Sequence, residues 1–164
     1  MRPPLYKNVA LLGLLTALGM MLGYIEMLFP ISLGVPGVKI GFANLVTLIA
    51  LYRTDNRQVL ILTLLRVTLV AATFGNMAAF FYSLSGALLS AGVMMLLKKH
   101  FHLLALSAVG GVMHNAGQIL VAMVILETPS LVYYLPVLIV AGVLAGLATG
   151  SVAGGILKRL PEHF

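Results

Sequence analysis

The strongest constraint on this chain is its succession of apolar runs. Six of them, about Lys7–Phe29, Gly37–Tyr52, Gln58–Phe74, Met77–Leu97, Phe101–Leu126 and Val132–Leu157, are separated by short connections rich in proline, glycine or charge. A helix needs about 20 apolar residues to cross the hydrocarbon layer, and there only helices and closed barrels satisfy their own backbone groups. The chain therefore reads as one all-α integral membrane domain over residues 1–164 with six transmembrane helices, and no soluble domain is expected. Charged residues make up 9% of the sequence, too few to cover a water-facing surface that ordinarily draws on about 25%.

The prolines respect this division. Pro3 and Pro4 precede the first run, Pro30 and Pro36 bracket the first loop, Pro129 and Pro136 mark the start of the last helix, and Pro161 follows it. Proline inside a helix costs about 3 kcal/mol, so its place is at the ends. The first run exceeds the 7–15 apolar residues of a signal peptide and has no clear small-x-small cleavage site before Pro30, so it reads as a retained helix.

Ten basic residues against four acidic ones give a net charge of +6. In a soluble protein that excess would suggest nucleic acid; here position matters more than sum. Arg2, Lys7, Arg53, Arg57, Lys98, Lys99, Lys158 and Arg159 all fall on one side of a six-span path. By the positive-inside rule that side is the cytoplasm, which places both termini there in a multi-pass protein of the cytoplasmic membrane. No nucleic-acid partner is expected.

The two basic residues left over are Lys39, at the outer mouth of the second span, and Arg66, near the middle of the third. Arginine at mid-membrane costs roughly 2.5–3.5 kcal/mol, so it should face the protein interior or a wet cavity. The fifth span adds Gly111, His114, Asn115 and Gln118, whose spacing of three and four suggests one shared helix face. Asn44 and Thr47 sit in the outer half of the second span, and Glu26 is expected to point inward from the first. Together these suggest a small-molecule pocket open to the outside. Lys39, Arg66 and His114 would meet an anionic or polar group, and Asn44, Asn115 and Gln118 would orient it. The alternative is that Arg66 pairs with Glu26 or Glu127 and that the amides tie helices together. The second span is short, and the loop from Pro30 to Pro36 is a candidate lid.

Gly142, Gly146, Gly150 and Gly154 recur every four residues in the sixth span, and Gly13 with Ala17 forms a shorter pair in the first. Such stripes let another backbone approach closely, either within the chain or on a partner subunit. No cysteine is present, and only Glu26 and Glu127 are carboxylates within spans, so no metal, cofactor or catalytic residue is expected.

The stretch from Gly37 to Leu51, GVKIGFANLVTLIAL, resembles the G-x-K-x-G-x-A-N-x-V-T-L signature of the bacterial Gx transporter family, also described as heptaprenyl diphosphate synthase component I. That family looks similar to the substrate-binding S components of energy-coupling factor (ECF) transporters. The resemblance implies a six-helix bundle that captures a vitamin or similar micronutrient from outside. It also implies docking, through small residues on the first helix, onto a coupling subunit energised by ATPases. Gly13 and Ala17 stand where that family carries an Ala-x-x-x-Ala motif, a departure that still allows close approach. No phosphate-binding loop is present, so ATP hydrolysis would belong to the partners. The enzyme name implies a different role, as a membrane subunit in isoprenoid or quinone metabolism. A catalytic part is not expected, because the single aspartate, Asp55, falls in a connection and cannot form the clusters that hold magnesium against a diphosphate. A third reading is a structural subunit of a redox membrane complex.

Overall fold

The computed structural model of the protein describes residues 5–28 and 41–160. Six α-helices follow in order: α1 Leu5–Leu28, α2 Phe42–Arg53, α3 Asn56–Phe74, α4 Met77–Leu97, α5 Leu103–Ile125 and α6 Leu135–Arg159, with a 3₁₀ turn, Pro129–Tyr134, before α6. Five segments are long and apolar enough to cross a membrane; α2 is the exception. At about 1.5 Å per residue its 12 residues reach only about 18 Å of a ~30 Å layer. Lys39 and the candidate lid from Pro30 to Pro36 lie outside the described residues.

The shortest helix is the central one. Every residue from Leu45 to Leu51 is buried, because α2 is surrounded by α1, α3, α4, α5 and α6. The outer helices instead bury one stripe each. On α3 this is Val59, Leu62, Thr63, Arg66 and Val67, while Leu60, Ile61, Leu64 and Leu65 stay exposed on the opposite side. A bundle that is apolar on both its inner and outer surfaces matches lipid and not water as its solvent.

Local chemistry sets the helix ends. Gly41 adopts φ 81°, a left-handed conformation that favours glycine, and starts α2 abruptly. Gln58 accepts a hydrogen bond from the Asp55 N–H at 3.3 Å as α3 begins. Asn76 Oδ1 accepts from the Ala79 N–H at 2.8 Å and caps α4. The last helix starts at Leu135, three residues later than Val132, because Pro129–Tyr134 winds as a 3₁₀ turn and Pro136 occupies the first turn of α6. Proline is tolerated there, where its missing N–H would have had no helical partner.

Glycines on α5 bring two neighbours in at backbone distance. A Cβ on Gly111 would collide with the Gly142 carbonyl of α6, and one on Gly142 would lie 2.8 Å from the Val112 nitrogen. Gly146 meets the backbone of Ser107 and Ala108, and Gly150 the Ser107 side chain. Toward α4, a Cβ on Gly117 would lie 2.8 Å from the Ser85 carbonyl. Hydrogen bonds reinforce both contacts: Ser107 Oγ and Thr149 Oγ1 lie 3.1 Å apart, and Ser85 Oγ donates to the Gly117 carbonyl at 2.8 Å. Of the two openings for this stripe, contact within the chain or on a partner subunit, Gly142, Gly146 and Gly150 take the first, since α5 of the same chain covers that face. Gly13 and Ala17 are exposed, and a Cβ on Gly13 would meet nothing within 4 Å.

Arg53, Arg57, Lys98, Lys99, Lys158 and Arg159 gather at one end of the bundle. Arg53 donates through Nη2 to the carbonyls of Leu157 at 2.7 Å and Leu160 at 2.9 Å, beside Lys158 and Arg159. Lys98 reaches Asn56 Oδ1 at 3.3 Å and the Leu51 carbonyl at 3.5 Å, next to Arg57 and Lys99. Beyond setting charge asymmetry, these two side chains cap the free C-terminal carbonyls of α6 and α2.

Candidate functional site

Arg66, at the middle of α3, is 5% exposed. Room for it comes from Gly19 on α1, where a Cβ would lie 2.6 Å from Arg66 Cδ and 3.3 Å from Cγ. Glu26 of α1 is also buried and is the carboxylate that acts electrostatically on the guanidinium. The same carboxylate accepts the Gly41 N–H, so α1, the start of α2 and the middle of α3 share one charge-compensated site. Opposite charges offset part of the penalty of burying each. Of the two carboxylates the sequence offers to Arg66, Glu26 takes this place, while Glu127 is exposed just after α5.

The polar residues of α5 divide between two neighbours. Asn115 turns toward α6 and donates through Nδ2 to the Leu138 carbonyl at 2.8 Å. His114 and Gln118 turn toward α4, where both would obstruct a Cβ on Gly86. At about 100° per residue, positions 111 and 115 are centred about 60° around the helix from 114 and 118. What reads as one face in the sequence is wide enough to meet two helices. Asn44 lies half-buried in the first turn of the central α2.

A cleft of about 420 Å³ opens between α4, α5, the 3₁₀ turn and α6, at the end away from Arg53 and Lys98. Its polar groups are Tyr82 and Ser83 of α4, Asn115 and Gln118 of α5, and Tyr134 of the 3₁₀ turn. Ala79, Ile119, Ala122, Leu126, Leu131 and Leu138 form an apolar wall. This volume lies within the roughly 300–1,000 Å³ of small-molecule sites. Of the expected ligand residues, Asn115 and Gln118 line the cleft; Asn44, Arg66 and His114 do not. Tyr82, Ser83 and Tyr134 escape a sequence reading that tracks charges and amides. Their only signal is a hydroxyl within an apolar helix and a tyrosine pair at the end of a proline-bearing connection.

Among the described residues no three His, Asp or Glu side chains gather where they could hold a metal ion. The arrangement suits binding: hydrogen-bonding groups set in an apolar wall, with no pair of carboxylates or base–nucleophile couple beside them.

No curated protein and no solved structure matches this chain. The family model described as heptaprenyl diphosphate synthase component I matches residues 15–156. That match runs from the middle of α1 to the last turn of α6 and takes in the Gly19–Arg66 site, the central α2 and the whole cleft, so the chain belongs to the heptaprenyl diphosphate synthase component I family.

Proposed function

We propose that this chain is the substrate-binding component of a membrane uptake system, seated in the cytoplasmic membrane with both termini inside. The observation that carries the reading is the cleft at the end of the bundle opposite the basic residues. With that basic end in the cytoplasm, as the positive-inside rule has it, the cleft occupies the outer half of the membrane. A micronutrient would enter from outside and be oriented by Gln118 and Asn115. Arg66 and His114 act at one remove, with Arg66 holding α1, α2 and α3 in register through Glu26. Transport energy would come from partners of the ECF type, a coupling subunit and ATPases, docked on the exposed Gly13 and Ala17 of α1.

A second reading is favoured by the lining of the cleft and by the family's description. A largely apolar cleft also suits an isoprenoid chain or a quinone, and a chain described as component I of a synthase would work beside a second component. In that role it would hold or present lipid without catalysing condensation, since Asp55, its single aspartate, starts α3 at the basic end.

Purification from native membranes, with bound proteins identified by mass spectrometry, separates the two. ATPases and a membrane coupling subunit, lost on Gly13→Leu with Ala17→Leu, support the uptake reading. A soluble prenyltransferase in their place overturns it in favour of the second.

A further inference from the structure

We infer that the ligand of the α4–α5–α6 cleft is electrically neutral where it binds, presenting an amide-like edge with a donor beside an acceptor on an apolar, ring-sized body. The inference rests on the reading of this cleft as the ligand site and adds the chemical class it takes.

Charge is the first argument. None of the described residues lining the cleft is an acid, a lysine, an arginine or a histidine. Arg66 does not line the cleft: its stem lies against Gly19 and the carboxylate that acts on its charge is Glu26. The nearest acid and histidine along the chain are Glu127, beside the lining residue Leu126, and His114, one turn before Gln118 and packed against Gly86. An ionised carboxylate or phosphate would give up water in the cleft with no opposite charge in the wall, a transfer far costlier than that of a neutral polar group.

The second argument is which polar groups are already used. Asn115 spends one Nδ2 hydrogen on the Leu138 carbonyl, which leaves its second hydrogen as a donor and Oδ1 as an acceptor. Gln118 makes no hydrogen bond among the described residues, so its amide offers both a donor and an acceptor. The hydroxyls of Tyr82, Ser83 and Tyr134 are likewise uncommitted. A group that donates and accepts side by side, as an amide or lactam does, satisfies Gln118 in both directions. A carboxylate can only accept, so it would use the Gln118 amide N–H and the hydroxyls but leave the oxygens of Gln118 and Asn115 without a donor. The apolar wall and the two tyrosine rings cover the remaining body of the ligand.

Three probes of one shape test this on the full-length protein in lipid nanodiscs, with binding read from probe fluorescence: 2-naphthamide, 2-naphthoate and naphthalene. The expected order is naphthamide tightest, with naphthoate at least tenfold weaker. Gln118→Leu, which keeps the packing on Gly86, should weaken naphthamide about tenfold, the size of one or two net hydrogen bonds, and leave naphthalene unchanged. Ala122→Trp, which fills the cleft, should abolish saturable binding of all three. Naphthoate binding as tightly as naphthamide, in a manner blocked by Ala122→Trp, overturns the neutral class while keeping the cleft as the site. Equal binding of naphthamide and naphthalene overturns the amide-edge argument. Binding that Ala122→Trp does not touch, or no saturable binding of any probe, removes the cleft as the site and the inference with it.

Discussion

Gly19 of α1 and Arg66 of α3 are fitted to each other: the position a Cβ would take on Gly19 lies 2.6 Å from Arg66 Cδ. A long cationic side chain is thereby seated within an apolar bundle because the residue opposite has none. Gly19→Ala should destabilise the protein by about 1–2 kcal/mol, since Arg66 is buried and its stem already lies against Gly19. Gly13→Ala, in open space on the same helix, should change stability by less than about 0.5 kcal/mol. Thermal unfolding in detergent, comparing the two, measures the difference. Equal effects would contradict the fit.

Gly142→Ala should be more harmful than Gly19→Ala. Its Cβ would meet the backbone of Gly111 and Val112 at 2.8–2.9 Å, and backbone cannot change rotamer to escape. A loss of about 3 kcal/mol is expected, at the upper end of overpacking costs, with α5 and α6 forced apart. Engineered cysteines at Ser107 and Thr149, whose hydroxyls lie 3.1 Å apart, report that separation as reduced cross-linking.

Glu26→Gln should cost more than its small change in shape suggests. The amide still accepts the Gly41 N–H, but Arg66 loses the charge that compensates it. Removing one partner of a buried pair costs about 3–5 kcal/mol, so a large fall in the amount of folded protein in the membrane is expected. The double variant Glu26→Gln with Arg66→Met should recover much of it. Failure of the second change to rescue the first would show that the two charges act independently.

Arg53→Ala should fray the end of α6. Two charge-assisted hydrogen bonds to Leu157 and Leu160 disappear, a loss of about 2 kcal/mol, seen as faster amide hydrogen exchange over the last turn of α6. Arg53→Lys should recover part of the protection, since one ammonium replaces a fork of donors. Membrane orientation, read by a reporter fused to the C-terminus, should stay the same because Arg57, Lys98, Lys99, Lys158 and Arg159 share that end.

Much of the fold was legible in the sequence because lipid demands long apolar runs, and such runs are linear features. Six runs became six helices, with Asn76, Gly41 and Pro136 acting locally at their ends. The shortness of the second run was equally visible. Its meaning was not: α2 is short because it lies at the centre, surrounded by five helices rather than by the full thickness of lipid.

The site was legible only in part. Residue type and a rough helical face singled out Asn115 and Gln118, which line a cleft, and Arg66, which lies outside it and is compensated by Glu26. No periodicity distinguishes Gly142, which packs within the chain, from Gly13, which faces outward; the difference is the direction each presents to its neighbours.

By itself, the sequence determined that this chain lives in a membrane as a helical bundle and which of its residues are too polar to face lipid, because solvation free energy is a property of composition and run length. Which polar residues meet was decided only by tertiary structure. Contacts such as Arg53 on the end of α6, or Asn115 on Leu138 rather than on His114's side of α5, depend on how helices rotate and cross, and that follows from backbone approach at glycines far apart in the chain.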